Sequence, residues 1–131
     1  MQKNAVQRLV VMSLSAVLLS ACGGAGDDDS GTGPLATSMT SIDLTGATTS
    51  TCYDGFAYRV YVYDGVPPYR IQTDVPDALV FDKTTVGNKG QSFDVSANGV
   101  CFAKGSIIVT DQLNKRVQIT VTNKVGTATT P

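Results

Sequence analysis

The side chains that could carry chemistry in this chain are three cysteines, ten basic residues and eleven acidic residues, all of them Asp. Histidine is absent, so the commonest general base is missing. No Ser lies in a GxSxG or SxxK spacing, and no glycine-rich phosphate loop follows a strand-like run. We therefore expect a protein that is not an enzyme, with no catalytic residue, no metal site and no cofactor.

The first 21 residues have the pattern of an export signal. Lys3 and Arg8 supply positive charge without an acidic residue, and an apolar run from Leu9 to Leu19 follows. As a helix this run would reach about 17 Å, whereas a bilayer core is roughly 30 Å thick. The pattern predicts a cleaved signal peptide at Met1–Ala21, and the alternative is a buried core helix.

The end of this segment, Leu19-Ser20-Ala21-Cys22, resembles the lipobox of bacterial lipoproteins. The resemblance implies cleavage before Cys22, diacylglycerol on its sulfur and often acylation of its new amino group. Two or more acyl chains anchor a protein stably. Gly23, and not Asp, follows the Cys, which implies the outer membrane, on either its periplasmic or its surface face. The alternative is an ordinary signal peptide that happens to end in Cys.

Removal of the signal changes the charge of the protein. The whole chain carries 10 Lys and Arg against 11 Asp, and the signal contains two of the basic residues. The mature chain then has 8 against 11, a net charge of −3. This balance predicts no basic patch for nucleic acid or for anionic lipid, so we expect membrane contact through the anchor at Cys22 and no nucleic-acid partner.

Residues 22–38 are predicted to form the lipidated Cys and a flexible linker. From Gly23 to Pro34 no apolar residue is larger than Ala, so burial cannot offset the entropy of ordering. The run Asp27-Asp28-Asp29 could suggest calcium, but a mobile triplet lacks the further oxygen ligands that Ca²⁺ requires. We interpret it as a solubilising, self-repelling segment.

From about Met39 the sequence changes to short β-rich runs separated by Gly, Pro, Asn and Asp. Seven such runs at regular spacing predict a β-sandwich over residues 39–131, and no apolar stripe keeps a helical period there. The predicted strands are Thr40–Leu44, Phe56–Tyr63, Tyr69–Thr73, Ala78–Phe81, Gln91–Val95, Ser106–Thr110 and Val117–Thr122.

Alternation within these strands predicts which side chains face the core, because residues two apart share a face. In the second strand the inward set is Tyr58, Val60 and Val62. In the last strand the inward set is Val117, Ile119 and Val121.

The outward side of the second strand is a candidate contact surface. We do not expect Arg59 to be buried without a partner, so it should point outward. Tyr61 and Tyr63 lie two and four residues further along the strand, so they should point outward with it. An Arg beside two outward Tyr is a composition enriched in protein and glycan contacts. The alternative is that the rings only cover neighbouring strands as cross-strand pairs.

The cysteines that remain after lipidation, Cys52 and Cys101, are predicted to form a disulfide. Two thiols in an oxidising compartment favour a bridge. If the strands alternate in direction, the second and sixth strands run the same way, and each Cys stands just before one of them. A reactive or metal-binding thiol pair is the alternative, but neither His nor a CxxC spacing accompanies it.

Several turns resemble those of bacterial immunoglobulin-like domains, including PKD-type repeats. The resemblance rests on Gly65-Val66-Pro67-Pro68-Tyr69, on Ile107 to Asp111 with Lys115 to Val121, and on Asn98-Gly99-Val100-Cys101 with Thr51-Cys52. It implies a seven-stranded immunoglobulin-like β-sandwich with one disulfide over roughly residues 39 to 125. The chain departs from antibody-type domains, because it has no Trp and Gly99 stands two residues before the second Cys.

Such domains act as rigid spacers, adhesion modules or subunits of envelope complexes. We therefore expect a membrane-anchored envelope lipoprotein that presents a small binding or structural module to a protein or glycan partner. The alternative function is a periplasmic accessory protein, an inhibitor or assembly factor for a secreted or envelope partner. Fold alone does not choose between them.

Overall fold

The structure, a computed structural model, describes residues 33–128. The predicted signal peptide Met1–Ala21, the predicted lipidation site Cys22 and the linker up to residue 32 lie outside the described residues, as do residues 129–131. Those predictions therefore stay predictions.

Residues 33–128 contain strands and no helix, and the strands form two sheets, as an all-β domain requires. All seven predicted strands are present, and the bounds of Tyr69–Thr73 agree with the prediction. Two very short strands raise the count in the described part to nine. The strands are β1 (Ala36–Thr37), β2 (Ser41–Thr45), β3 (Asp54–Tyr63), β4 (Tyr69–Thr73), β5 (Leu79–Phe81), β6 (Thr85–Val86), β7 (Ser92–Asn98), β8 (Phe102–Thr110) and β9 (Arg116–Lys124).

Strand β1 lies in the segment that the sequence assigns to the linker. Ala36 pairs with Tyr63 and Thr37 pairs with Val62, while the side chain of Leu35 is buried in the core. The folded domain therefore begins before residue 39. Two residues are too few to show an alternation, so β1 has no signal in the sequence.

The four-stranded sheet has the order β1-β3-β7-β5, and the five-stranded sheet has the order β2-β9-β8-β4-β6. Among the strands of residues 33–128, only β2 and β9 pair in parallel. The inner faces of both sheets supply one hydrophobic core, which is mainly aliphatic and includes the buried rings of Tyr69 and Phe93. In β9, Ile119 and Val121 are fully buried and Val117 packs against the core, as the alternation predicts.

The phase of β3 agrees with the prediction over most of its length. Val60 and Val62 have no exposed surface. The prediction for Tyr58 was wrong, because this side chain is 42% exposed. The register between β3 and β7 shifts between Phe56 and Tyr58, and at this β-bulge Ala57 packs against the core instead.

The strands run between two ends of the domain. At the N-terminal end, the first described residue, Gly33, accepts a hydrogen bond from the Gly65 N–H at 3.0 Å, and the β3–β4 and β8–β9 turns lie there. At the disulfide end lie Cys52 before β3, Cys101 before β8 and the end of β9.

The predicted disulfide between Cys52 and Cys101 is confirmed, with the two Cα atoms 5.4 Å apart. It joins the two sheets, because β3 and β8 belong to different ones. Closing a loop with a sequence separation of 49 stabilises a domain by about 4 kcal/mol in the chain-entropy model. This is a large share of the roughly 5–15 kcal/mol that holds a typical domain folded.

Asn123 of β9 forms hydrogen bonds with backbone groups next to both cysteines. The side chain is 1% exposed. Its Oδ1 accepts a hydrogen bond from the Tyr53 N–H at 2.8 Å, and its Nδ2 donates to the carbonyl oxygens of Tyr53 and Val100 at 3.0 and 3.1 Å. Tyr53 follows the first Cys and Val100 precedes the second, so the amide and the disulfide fasten the same end.

Asp111 fastens the opposite end, where the two turns that carry the family resemblance meet. Its carboxylate is 2% exposed and accepts hydrogen bonds from the backbone N–H groups of Val66 at 3.0 Å, Leu113 at 2.9 Å and Lys115 at 2.8 Å. Burial by itself raises the pKa of this carboxyl, but the backbone donors outweigh it, and the pKa lies below its ordinary value.

We predict that Asp111→Asn lowers the urea midpoint of unfolding at neutral pH and weakens the dependence of stability on acid. Because the pKa of Asp111 is lowered by folding, its contribution is complete above the unfolded pKa of about 3.9. It is lost as the pH falls through the lower folded value. Midpoints of the two proteins should therefore converge between pH 7 and pH 2.

The exposed carboxylate of Asp77, in the β4–β5 connection, provides the matched control. Asp77→Asn should leave the midpoint at neutral pH unchanged. A constant gap between Asp111→Asn and the original protein at every pH would contradict the role given to the ionised carboxylate.

Candidate functional site

The outer side of the four-stranded sheet carries the predicted contact residues. We call it the aromatic face. Cross-strand pairs place Arg59 opposite Asp94, Tyr61 opposite Ser92, and both Phe56 and Val80 opposite Ser96. Paired residues project from the same side of a sheet, so these side chains share one surface with Tyr63. The aromatic face is formed by Phe56, Arg59, Tyr61 and Tyr63 of β3, Val80 of β5, and Ser92, Asp94 and Ser96 of β7.

The two tyrosines predicted for this surface point outward. Tyr61 is 40% exposed and Tyr63 is 42% exposed, while the valines between and before them are buried. Their ring centroids are 6.5 Å apart, and the ring planes are within 13° of parallel. Their direct cross-strand partners are the small residues Ser92 and Ala36. This arrangement argues against the alternative that the rings only shield adjacent strands.

Arg59 is held by a carboxylate that the sequence alone did not identify as its partner. The guanidinium donates from Nε to Oδ1 of Asp94 at 2.7 Å and from Nη2 to Oδ2 at 2.9 Å. The hydrogen bond from Arg59 lowers the pKa of Asp94, and the same contact raises the pKa of Arg59. The pair places a fixed, locally neutral polar group beside the rings, because two hydrogen bonds define its geometry.

Large exposed apolar side chains are distributed unevenly between the sheets. In the described part of the chain, five of them lie on strands of the four-stranded sheet, and none lies on a strand of the five-stranded sheet. The five are Phe56, Tyr58, Tyr61, Tyr63 and Val80. All of these except Tyr58 belong to the aromatic face, and concentrated apolar and aromatic surface on one side of a small domain is typical of an interaction site.

The aromatic face offers ring faces, hydroxyl groups and one fixed ion pair. Among residues 33–128, no group of His, Cys, Asp or Glu could hold a metal ion. The side chains of the aromatic face can take part in recognition by stacking and hydrogen bonding.

Several members of the aromatic face were missed by sequence reasoning. Asp94 lies between the buried Phe93 and Val95, so alternation could have placed it outward. Its meeting with Arg59 depends on β3 and β7 being neighbours, which no residue pattern specifies. Phe56 and Val80 were likewise assigned to strands without a face.

No protein-family model matches the chain, and no similar curated protein or solved structure was found. The function must therefore be argued from the residues themselves. In residues 33–128, no helix has the length and hydropathy to cross a membrane.

We predict that nitration of the folded protein by tetranitromethane modifies Tyr61 and Tyr63 well before Tyr69. Tyr69 has no exposed surface, and burial raises the pKa of its hydroxyl, which disfavours the reactive phenolate. Peptide mass spectrometry over time measures the order of modification. In urea all three should react at similar rates, and early nitration of Tyr69 in the folded protein would contradict this arrangement.

Proposed function

We propose that this chain is a lipid-anchored envelope protein whose immunoglobulin-like domain binds a partner through the aromatic face. The observation that carries the binding role is the concentration of exposed aromatic side chains, with a fixed Arg59–Asp94 pair, on one sheet only. The anchor is inferred from the lipobox-like sequence that ends at Cys22.

The order of the strands supports an immunoglobulin-like assignment. Constant-type domains have strands A-B-E-D in one sheet and G-F-C in the other. If β1 is A, the order β1-β3-β7-β5 corresponds to A-B-E-D, and β9-β8-β4 corresponds to G-F-C. Strand β2 then continues A on the other sheet, beside G, and β6 is an addition beside C.

The position of the disulfide supports the same assignment. In antibody domains the inter-sheet disulfide links strands B and F. Cys52 stands two residues before β3 and Cys101 one residue before β8, the strands that correspond to B and F. The bridge therefore has the expected connectivity but lies at the end of the sandwich. The strand that corresponds to C has the buried Tyr69 and Ile71 and no Trp.

We predict that the mature protein begins at a lipidated Cys22 and that Cys22→Ala abolishes membrane anchoring. Without its sulfur the residue cannot receive diacylglycerol, and the chain should stay unprocessed or become soluble. Detergent partitioning with mass spectrometry of the N-terminus measures both properties. An unmodified N-terminus at any other residue would refute the anchor and leave the binding role of the domain untouched.

We predict that Tyr61→Ala/Tyr63→Ala weakens partner binding by roughly 30-fold or more, since truncating a buried interface Tyr costs about 2 kcal/mol or more at a hot spot. The partner is captured first, by photo-crosslinking in producing cells from a benzoylphenylalanine placed at position 61. A glycan array probed with the purified protein tests for a saccharide partner.

Tyr58 provides the matched control, because it is equally exposed but pairs with the inward Val95 rather than with the aromatic face. Crosslinking from position 58 should not yield the same adduct, and Tyr58→Ala should bind normally. Full binding by a correctly folded Tyr61→Ala/Tyr63→Ala variant would remove the proposed role. A captured secreted enzyme or assembly component would favour the accessory function over adhesion.

A further inference from the structure

Charge is separated along the long axis of the domain. Residues 33–128 contain eight basic residues and eight Asp, a net charge of zero. Toward the N-terminal end lie four cations and two carboxylates, a net charge of +2: Arg70, Lys89, Lys115 and Arg116, with Asp64 and Asp111. Toward the disulfide end lie two cations and four carboxylates, a net charge of −2: Lys104 and Lys124, with Asp43, Asp54, Asp74 and Asp77. Between the two ends lie the ion pairs Arg59–Asp94 and Lys83–Asp82.

The N-terminal end also carries the most exposed of the large apolar side chains in the described part of the chain. Leu113, at the tip of the β8–β9 turn, is 62% exposed. Lys115 and Arg116 follow it and are exposed. A cleft of about 520 Å³ beside them is lined by Leu35 and Val66 together with these three residues. Because Asp111 holds the backbone of the turn at Leu113 and Lys115, the apolar tip and the cations have a fixed arrangement.

We propose that the N-terminal end of the domain rests on a lipid surface that bears anionic headgroups, with Leu113 at the apolar boundary and Lys115 and Arg116 on the headgroups. The proposal rests on the lipid anchor at Cys22. A chain anchored there joins the domain at Gly33, at the end that carries Leu113, Lys115 and Arg116. The linker itself carries Asp27, Asp28 and Asp29, so the attraction to the headgroups comes from Lys115 and Arg116 and not from the net charge at this end. Anchoring also makes a weak contact effective, because the surface is already within reach.

The chemistry of the contact is that of interfacial segments, in which a basic side chain beside an apolar one binds an anionic bilayer. Each Lys or Arg near such a surface strengthens binding by roughly fivefold, and salt screens the attraction. The negative disulfide end is repelled by the same surface. The orientation therefore follows from both ends of the domain.

The absence of Trp from the sequence allows a site-specific test with the lipidated, full-length mature protein. Leu113→Trp introduces one fluorophore at the proposed contact, and Val100→Trp introduces one at an exposed position of the disulfide end. Both proteins are reconstituted into vesicles of phosphatidylcholine alone or with an equal part of phosphatidylglycerol. Brominated acyl chains quench only a Trp that reaches the hydrocarbon boundary.

We expect quenching of Leu113→Trp in the vesicles with phosphatidylglycerol, and none of Val100→Trp. Adding Lys115→Gln/Arg116→Gln should reduce the ratio of contacting to free domains by about 25-fold, from roughly fivefold for each cation. Lys104→Gln/Lys124→Gln, which removes two cations from the other end, should preserve the quenching.

Equal quenching at both positions, or none at either, would overturn the proposed orientation. Quenching that persists without phosphatidylglycerol or without the two cations would overturn its electrostatic basis. Flotation of the same samples separates these failures from failure of the anchor. A protein that floats with the vesicles but shows no quenching keeps its anchor and lacks the contact, whereas one that does not float lacks the anchor itself.

Discussion

The packing of alternate aliphatic residues between the two sheets determines most of what this domain can present to its surroundings. Val60 and Val62 are fully buried, and a one-residue slip of β3 would exchange them for Arg59 and Tyr61. Such a slip would bury a guanidinium and expose two valines, so the core excludes it. Burial of Val60 and Val62 on one side of β3 therefore places Arg59 and Tyr61 on the other side, where they form part of the aromatic face.

Two polar side chains limit how the ends of the sheets can separate. Asn123 and Asp111 are almost inaccessible to solvent, and each satisfies several backbone groups of neighbouring turns. A buried amide or carboxylate is tolerated only when its hydrogen bonds are made, so each residue specifies one arrangement of the chain around it. At the disulfide end the covalent bond and Asn123 act together. At the N-terminal end Asp111 and the Gln112 N–H, which donates to the carbonyl oxygen of Val66, join the two turns.

The sequence predicted what depends on local pattern and missed what depends on strand order. The bounds of β4, the inward valines of β3 and the pairing of Cys52 with Cys101 follow from alternation, turn residues and compartment. The bulge at Ala57 adds one residue that no alternation can reveal, and it exposes Tyr58. The Arg59–Asp94 pair could not be foreseen either, because the two residues are far apart in sequence and meet only when β7 lies beside β3.

The sequence gives the net charge but does not show where the charges lie in the folded domain. A count of −3 for the chain that signal cleavage would leave predicts no basic surface, yet residues 33–128 have a net charge of zero and their charges are separated toward two ends. The strands and the turns between them place each charge at a definite level between the ends, so residues far apart in the sequence produce a dipole along the domain. The aromatic face lies on β3, β5 and β7, which run between those ends. If the domain rests on its positive end, the aromatic face is perpendicular to the membrane plane. It is then accessible to a partner from the side and is not covered by lipid.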